Sequence, residues 1–124
     1  MSRREVGLRG EQLAACHLEA NGMVVLDRNW RGRDGELDIV ALSGRTLVIA
    51  EVKTRTGDGF GPPAAAVTAK KYARLRRLAA QWLEEHAIRA AEVRIDVVSV
   101  RLSRAPEGGE ALLASLDHIE GAFR

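Results

Sequence analysis

Several charged residues stand where the surrounding pattern calls for apolar ones. Asp38 lies between Leu37 and Ile39 in a segment that is otherwise apolar as far as Leu42. Glu51 and Lys53 close the β-branched and aliphatic run Arg45–Thr54, and side chains two apart on a strand share a face. Burying such charges is costly unless they pair or hold something. Two carboxylates on adjacent strands repel each other, and a divalent cation between them removes the repulsion. Mg²⁺ takes one or two carboxylates and completes its shell with waters and phosphate oxygens. A lysine beside such a pair can orient or deprotonate a water, or neutralise charge on a phosphorane-like transition state. The chemistry these residue types point to is metal-assisted attack of water on a phosphodiester.

The elements that must position these groups follow from the apolar spacing. Arg45–Thr54 lies between Ser43-Gly44 and Gly57-Asp58-Gly59 and reads as a strand buried on both faces, hence central in its sheet. Before it come a strand over Met23–Asn29, a charged turn over Arg31–Gly35 with Asp34-Gly35 at its tip, and a strand over Glu36–Leu42. Three strands joined by short turns form an antiparallel meander. A hairpin across Ser43-Gly44 places Asp38 near Val48 to Ala50, within about two residues of Glu51 on strands ~4.8 Å apart.

Helical spacing marks two further elements. The first helix covers Ser2–Asn21 and stops at Gly22; Gly7 and Gly10 weaken its start and let a backbone or ligand come close beside Glu11. A long helix over Ala64–His86 carries Val67, Leu75, Leu78, Ala79 and Trp82 on one stripe. With Val67 as origin, Lys71 falls at about 40°, inside that stripe, so it must snorkel out or reach an anion, and the Asp38/Glu51 pair is the nearest candidate. Val93–Leu102 is then a strand, Ala105–Gly109 a turn, Ala111–Leu116 an edge strand, and Asp117–Glu120 one helical turn. The expected fold is α/β: a single domain over residues 1–124 with a central mixed sheet flanked by helices, the long helix serving as a crossover between parallel strands.

Composition narrows the function classes. A chain of 124 residues with 46% hydrophobic and 29% charged residues is neither disordered, collagenous nor a coiled coil, and 4% aromatics make the core aliphatic. The net charge of +2 does not by itself imply a polyanionic partner, but basic residues gather at Arg28, Arg31 and Arg33 and again at Lys70, Lys71, Arg74, Arg76 and Arg77. Cys16 alone excludes an internal disulfide and a multi-thiolate zinc cage; a reducing cytoplasm and a buried structural thiol are expected. The N-terminus has no apolar run, so neither a signal peptide nor a membrane span is expected. The loop Thr56–Pro63 lacks the Gly-Lys-Ser/Thr ending of a phosphate-binding P-loop. His17, His86 and His118 have no metal-ligand spacing. Trp82 belongs to the core stripe, which leaves Trp30 to stack on a base. Asp96 calls for an arginine partner.

Gly10-Glu11, Gly35-Glu36-Leu37-Asp38-Ile39-Val40, Glu51-Val52-Lys53-Thr54-Arg55, Phe60-Gly61 and Ala66-Val67 with Lys71 resemble, in this order and at these spacings, the YraN (UPF0102) family of small bacterial proteins. That family is similar in turn to Holliday-junction resolvases and to the restriction-endonuclease-like PD-(D/E)xK superfamily. The resemblance implies a restriction-endonuclease-like fold and a Mg²⁺- or Mn²⁺-dependent nuclease acting on DNA, with branched or structured DNA as one substrate class. It assigns metal ligation to Asp38, Glu51 and Glu11, catalysis to Asp38, Glu51 and Lys53, and a supporting role to Lys71, where resolvase-like proteins often carry Gln. The nucleic-acid contacts expected are Arg28, Trp30, Arg31, Arg33, Arg55, Lys70 and Arg74. A homodimer is expected only because resolvase-like relatives are dimers. The alternative is a non-catalytic module that clamps nucleic acid or serves as an adaptor in DNA repair.

Overall fold

Ser2 starts the first helix with a capping box: its hydroxyl accepts the Glu5 N–H at 3.1 Å, and the Glu5 carboxylate accepts the Ser2 N–H at 3.4 Å. A computed structural model describes residues 2–57, 67–103 and 112–122. Its elements are α1 (Arg3–Ala20), β1 (Val24–Gly32), β2 (Gly35–Ser43), β3 (Thr46–Thr56), α2 (Ala69–His86), β4 (Glu92–Leu102) and β5 (Leu113–Ile119). Gly22 follows α1 at φ 86°, the left-handed conformation that a helix stop requires. Thr68 caps α2 by accepting the Lys71 N–H at 3.1 Å.

The strands lie in sequence order in one sheet, so β3 is central as expected. β3 and β4 run parallel with α2 as their crossover, and the other neighbours are antiparallel. Alternation along β3 divides the core. Val48 and Ala50 join Ala14, Ala15 and Leu18 of α1 on one face. Leu47 and Ile49 join Leu75, Leu78, Ala79 and Trp82 of α2 on the other. No helix among the described residues is long and apolar enough to cross a membrane.

Four local expectations are corrected. α2 begins at Ala69, not Ala64; Val67 precedes it yet is still buried in the α2-face core, and Ala64 to Ala66 lie outside the described residues. The β1–β2 turn consists of Arg33 and Asp34, because Gly32 pairs with Gly35. Asp117 to Ile119 continue β5 instead of forming a helical turn: β4 offers an open edge, and His118 pairs with Val98 there. Cys16 is exposed, because Ala14, Ala15 and Leu18 fill the buried side of α1. The Gly/Pro loop from Asp58 to Pro63, Phe60 included, lies outside the described residues, as do the Ala105–Gly109 turn and Ala111.

Gly10 sets how closely α1 approaches the sheet. A Cβ there would collide with the Thr54 side chain of β3, whereas a Cβ at Gly7 would meet open space. Both replacements gain helix propensity, so the pair isolates the packing effect. Gly7→Ala is expected to stabilise the protein by about 0.5–1 kcal/mol and Gly10→Ala to destabilise it by about 1–3 kcal/mol, read from urea midpoints.

Candidate active site

The central feature is a split in the sheet. β2 and β3 pair from Ser43↔Thr46 to Ile39↔Ala50 and no further, although β2 extends back to Gly35 and β3 on to Thr56. Beyond that point β2 stays with β1, through Leu37↔Trp30 and Glu36↔Arg31, while β3 stays with β4, from Glu51↔Val97 to Thr56↔Leu102. Continuing the β2–β3 register sets Asp38 opposite Glu51, one residue further along β3 than expected. The Val52 N–H, left without a strand partner by the split, donates to Asp38 Oδ2 at 2.8 Å.

The cleft is electrostatically loaded. Burial pushes the Asp38 carboxyl up to about 7, the Glu51 charge adds to the shift, and the Val52 bond only partly opposes it; Glu11 and Glu36 push it further. Glu51 is paired with the Lys71 ammonium at 3.1 Å, so the lysine in the apolar stripe of α2 reaches an anion instead of snorkelling to solvent. Lys53, on the same face as Glu51, hydrogen-bonds Lys71, and that contact together with burial lowers its pKa. Lys71 is itself partly desolvated, but the Lys53 contact and the Glu51 carboxylate hold its proton in place. Asp38, Glu51, Lys53 and Lys71 therefore meet in one cleft, as the alternation and the helical wheel expected.

Two recesses flank this cluster on opposite sides of the sheet. On the α1 side a cavity of about 510 Å³ is lined by Arg3, Gly7, Glu11, Val52, Thr54 and Arg55. Glu11 thus stands on the α1 flank, close enough to act on Asp38 but not beside Glu51, and its Oε2 is buried without a hydrogen-bond partner. On the α2 side a recess of about 170 Å³ is lined by Thr68, Lys70, Lys71, Arg74 and Arg77. The β1–β2 turn docks nearby: the Arg33 N–H donates to Gln81 Oε1 at 3.1 Å, and Asp34 lies 3.9 Å from Arg77.

The expected nucleic-acid residues are consequently divided. Arg33, Lys70 and Arg74 belong to the α2 flank and Arg55 to the α1 flank, whereas Arg28 and Arg31 project, exposed, from the edge strand β1. Trp30 is half-buried against the α2-face core, which commits much of its ring to packing. Arg77, part of the basic cluster of α2 but not among the expected contacts, lines the α2 recess, and Arg3, absent from both, lines the α1 cavity. Arg77 lies three residues beyond Arg74 and seven beyond Lys70, a one-face helical spacing that was available; nothing local marks Arg3.

The donor set fits a hard divalent cation. Asp38 and Glu51 offer carboxylate oxygens, Asp38 holds a proton near neutrality because burial and then the Glu51 charge disfavour its ionised form, and the Glu11 oxygen is left over. Among the described residues no cluster of three His, Cys, Asp or Glu side chains forms, so water and phosphate oxygens would complete the shell, as Mg²⁺ prefers.

Fold and cleft together define an α/β protein whose described residues form one mixed sheet with a helix on each face and a charged opening between β2 and β3, an architecture compatible with a restriction-endonuclease-like fold. The chain belongs to the family described as "Uncharacterised protein family UPF0102", which its residues 10–100 match, a span that contains Glu11, Asp38, Glu51, Lys53 and Lys71. It is 53% identical over 116 residues to a UPF0102 protein of Beutenbergia cavernae, covering 94% of this chain and 93% of the relative. Similar relatives are a UPF0102 protein of Mycolicibacterium vanbaalenii, 56% identical over 97% of this chain and 94% of its own length, and one of Mycobacterium tuberculosis, 48% identical over 98% and 94%.

Proposed function

We propose that this protein is a metal-dependent nuclease that hydrolyses phosphodiester bonds in DNA, with Asp38 and Glu51 holding Mg²⁺ or Mn²⁺ in the split between β2 and β3. The observation that carries this reading is the split itself, which opens the sheet where two carboxylates and two lysines converge. A divalent cation bound there supplies Lewis-acid activation of a water and neutralises charge on the phosphate. Asp38 and Glu51 would hold the cation, and the Val52 N–H fixes the Asp38 carboxylate. Lys53 donates toward a non-bridging phosphate oxygen as charge develops. Lys71 positions Glu51 through their ion pair. Glu11 would assist from the α1 flank through water, and the basic residues of the two recesses would hold the strand on either side of the scissile bond.

The test is titration with Mg²⁺ and Mn²⁺ followed by incubation with branched, flapped, duplex and single-stranded DNA, comparing the parent with Glu51→Ala. Saturable metal binding and metal-dependent products from the parent, both lost in Glu51→Ala, are expected. Equal cleavage by both proteins contradicts the assignment.

The Lys71–Glu51 ion pair also supports a second reading, a clamp that binds nucleic acid without cutting it, because the lysine already satisfies the carboxylate. Either way the α2 recess carries affinity. Lys70→Ala and Arg74→Ala are each expected to lower the slope of log affinity against log salt by about 1, measured by fluorescence anisotropy on a DNA panel. An unchanged slope removes that recess from the binding surface.

A further inference from the structure

Folding brings together two histidines that lie 101 positions apart in the sequence. His17 is in the last turn of α1 and His118 is on β5. Nε2 of His17 lies 3.1 Å from Nδ1 of His118, with ring centroids 5.1 Å apart and the rings edge to face at 78°. The other nitrogen of His118, Nε2, lies 2.7 Å from Oδ2 of Asp96, a residue with no exposed surface. Arg94 donates to both Asp96 oxygens at 2.8 and 3.0 Å, and the Gly121 N–H donates at 3.0 Å. Asp96, already taking donors from the Arg94 guanidinium and the Gly121 N–H, serves as an acceptor toward His118 as well, which places a proton on His118 Nε2 and turns Nδ1 toward His17.

This is the outer-shell arrangement of a metal-binding histidine, in which a carboxylate fixes the tautomer and turns the free nitrogen toward the ion. Two imidazole nitrogens bound to a tetrahedral ion at ~2.0–2.1 Å stand about 3.3–3.4 Å apart, so the pair needs to part by only a few tenths of an ångström. The C-terminal end of α1 adds partial negative charge beside His17. Asn21, whose amide donates to the His17 carbonyl at 2.8 Å, has that same nitrogen 3.5 Å from His17 Nε2 and closes the near side.

We propose that His17 Nε2 and His118 Nδ1 form a bis-imidazole site for a divalent transition ion of the zinc class, oriented by Asp96 and completed by water. The ion replaces the proton that bridges the rings, and this proton moves to Nδ1 of His17. Imidazole donors select zinc, nickel or copper over magnesium, so this site and the oxygen-donor cleft do not compete for one ion. Bound there, the ion fastens the short edge strand β5 to α1.

The experiment is calorimetric titration of the full chain with Zn²⁺ in excess Mg²⁺, using the parent, His17→Gln and Glu51→Gln. One ion per chain is expected for the parent, with affinity at least about tenfold weaker in His17→Gln and unchanged in Glu51→Gln. In parallel, nitrogen NMR of the parent's imidazoles should show His118 Nδ1 and His17 Nε2 moving to metal-bound shifts, and amide exchange across β5 should slow. Absence of Zn²⁺ binding, equal affinity in His17→Gln, loss in Glu51→Gln, or imidazole shifts unmoved by Zn²⁺ would each overturn the site.

Discussion

In metal-free solution, Asp38→Asn is expected to stabilise the protein by up to about 4 kcal/mol above about pH 7 and to leave it nearly unchanged below the ordinary aspartate value of 3.8. The sign follows from proton binding. Asp38 titrates at about 7 in the folded chain and at 3.8 when unfolded, so between these values only the folded chain holds the proton. Stability contributed by this group therefore falls as pH rises through that window, and the cost of the buried charge is fully present above it. Asparagine is neutral and keeps an oxygen for the Val52 N–H, so it escapes the cost. Urea midpoints of parent and variant, measured across this range with chelator, should diverge as pH rises; parallel curves contradict the electrostatics of the cleft. Added Mg²⁺ should recover the parent above pH 7 and leave Asp38→Asn unaffected.

Asp96→Ala should be the most damaging single substitution outside the hydrophobic core. It leaves the Arg94 guanidinium, the His118 Nε2–H and the Gly121 N–H without their shared acceptor, a carboxylate with no exposed surface. Breaking a buried pair of this kind costs about 3–5 kcal/mol, a large part of a typical domain's stability. The pH sign is opposite to that of Asp38. Asp96 is held below its ordinary value, so its contribution is complete above pH 3.8 and is lost as pH falls through the lower folded value. Thermal unfolding of parent and Asp96→Ala at neutral and acid pH should show a wide gap in Tm that narrows on acidification.

The parts of this molecule that were legible in the sequence are those set by local periodicity. The two-residue repeat put Glu51 and Lys53 on one face of the central strand, and the 3.6-residue repeat put Lys71 inside the apolar stripe of α2; the two meet in the Glu51–Lys71 ion pair. Asp96 found its arginine two residues away on the same strand. What local pattern cannot convey is which neighbour each half of a strand pairs with. The split between β2 and β3, and with it the hydrogen bond from Val52 to Asp38, depends on β1 and β4 holding their partners more fully than β2 and β3 hold each other. Asp38 falls opposite Glu51, just past the expected Val48 to Ala50, because the hairpin loop is Gly44-Arg45, with Ser43 and Thr46 already paired, and moving the loop by one residue moves each partner by two. Glu11 was correctly given to α1, but the flank on which it stands depends on tertiary packing that Gly10 permits. The His17–His118 contact joins the first helix to the last strand, and no spacing rule reaches across that separation.

The most direct test of the central claim is the rate at which Asp38→Asn cuts DNA in Mg²⁺, measured on the same substrate panel as the parent after both proteins are shown to be folded. Removing one carboxylate from the proposed cation site should cost about 4 kcal/mol of transition-state stabilisation, a fall of about a thousandfold, in a variant at least as stable as the parent. Cleavage by Asp38→Asn at the parental rate would show that the split between β2 and β3 is not where the chemistry occurs.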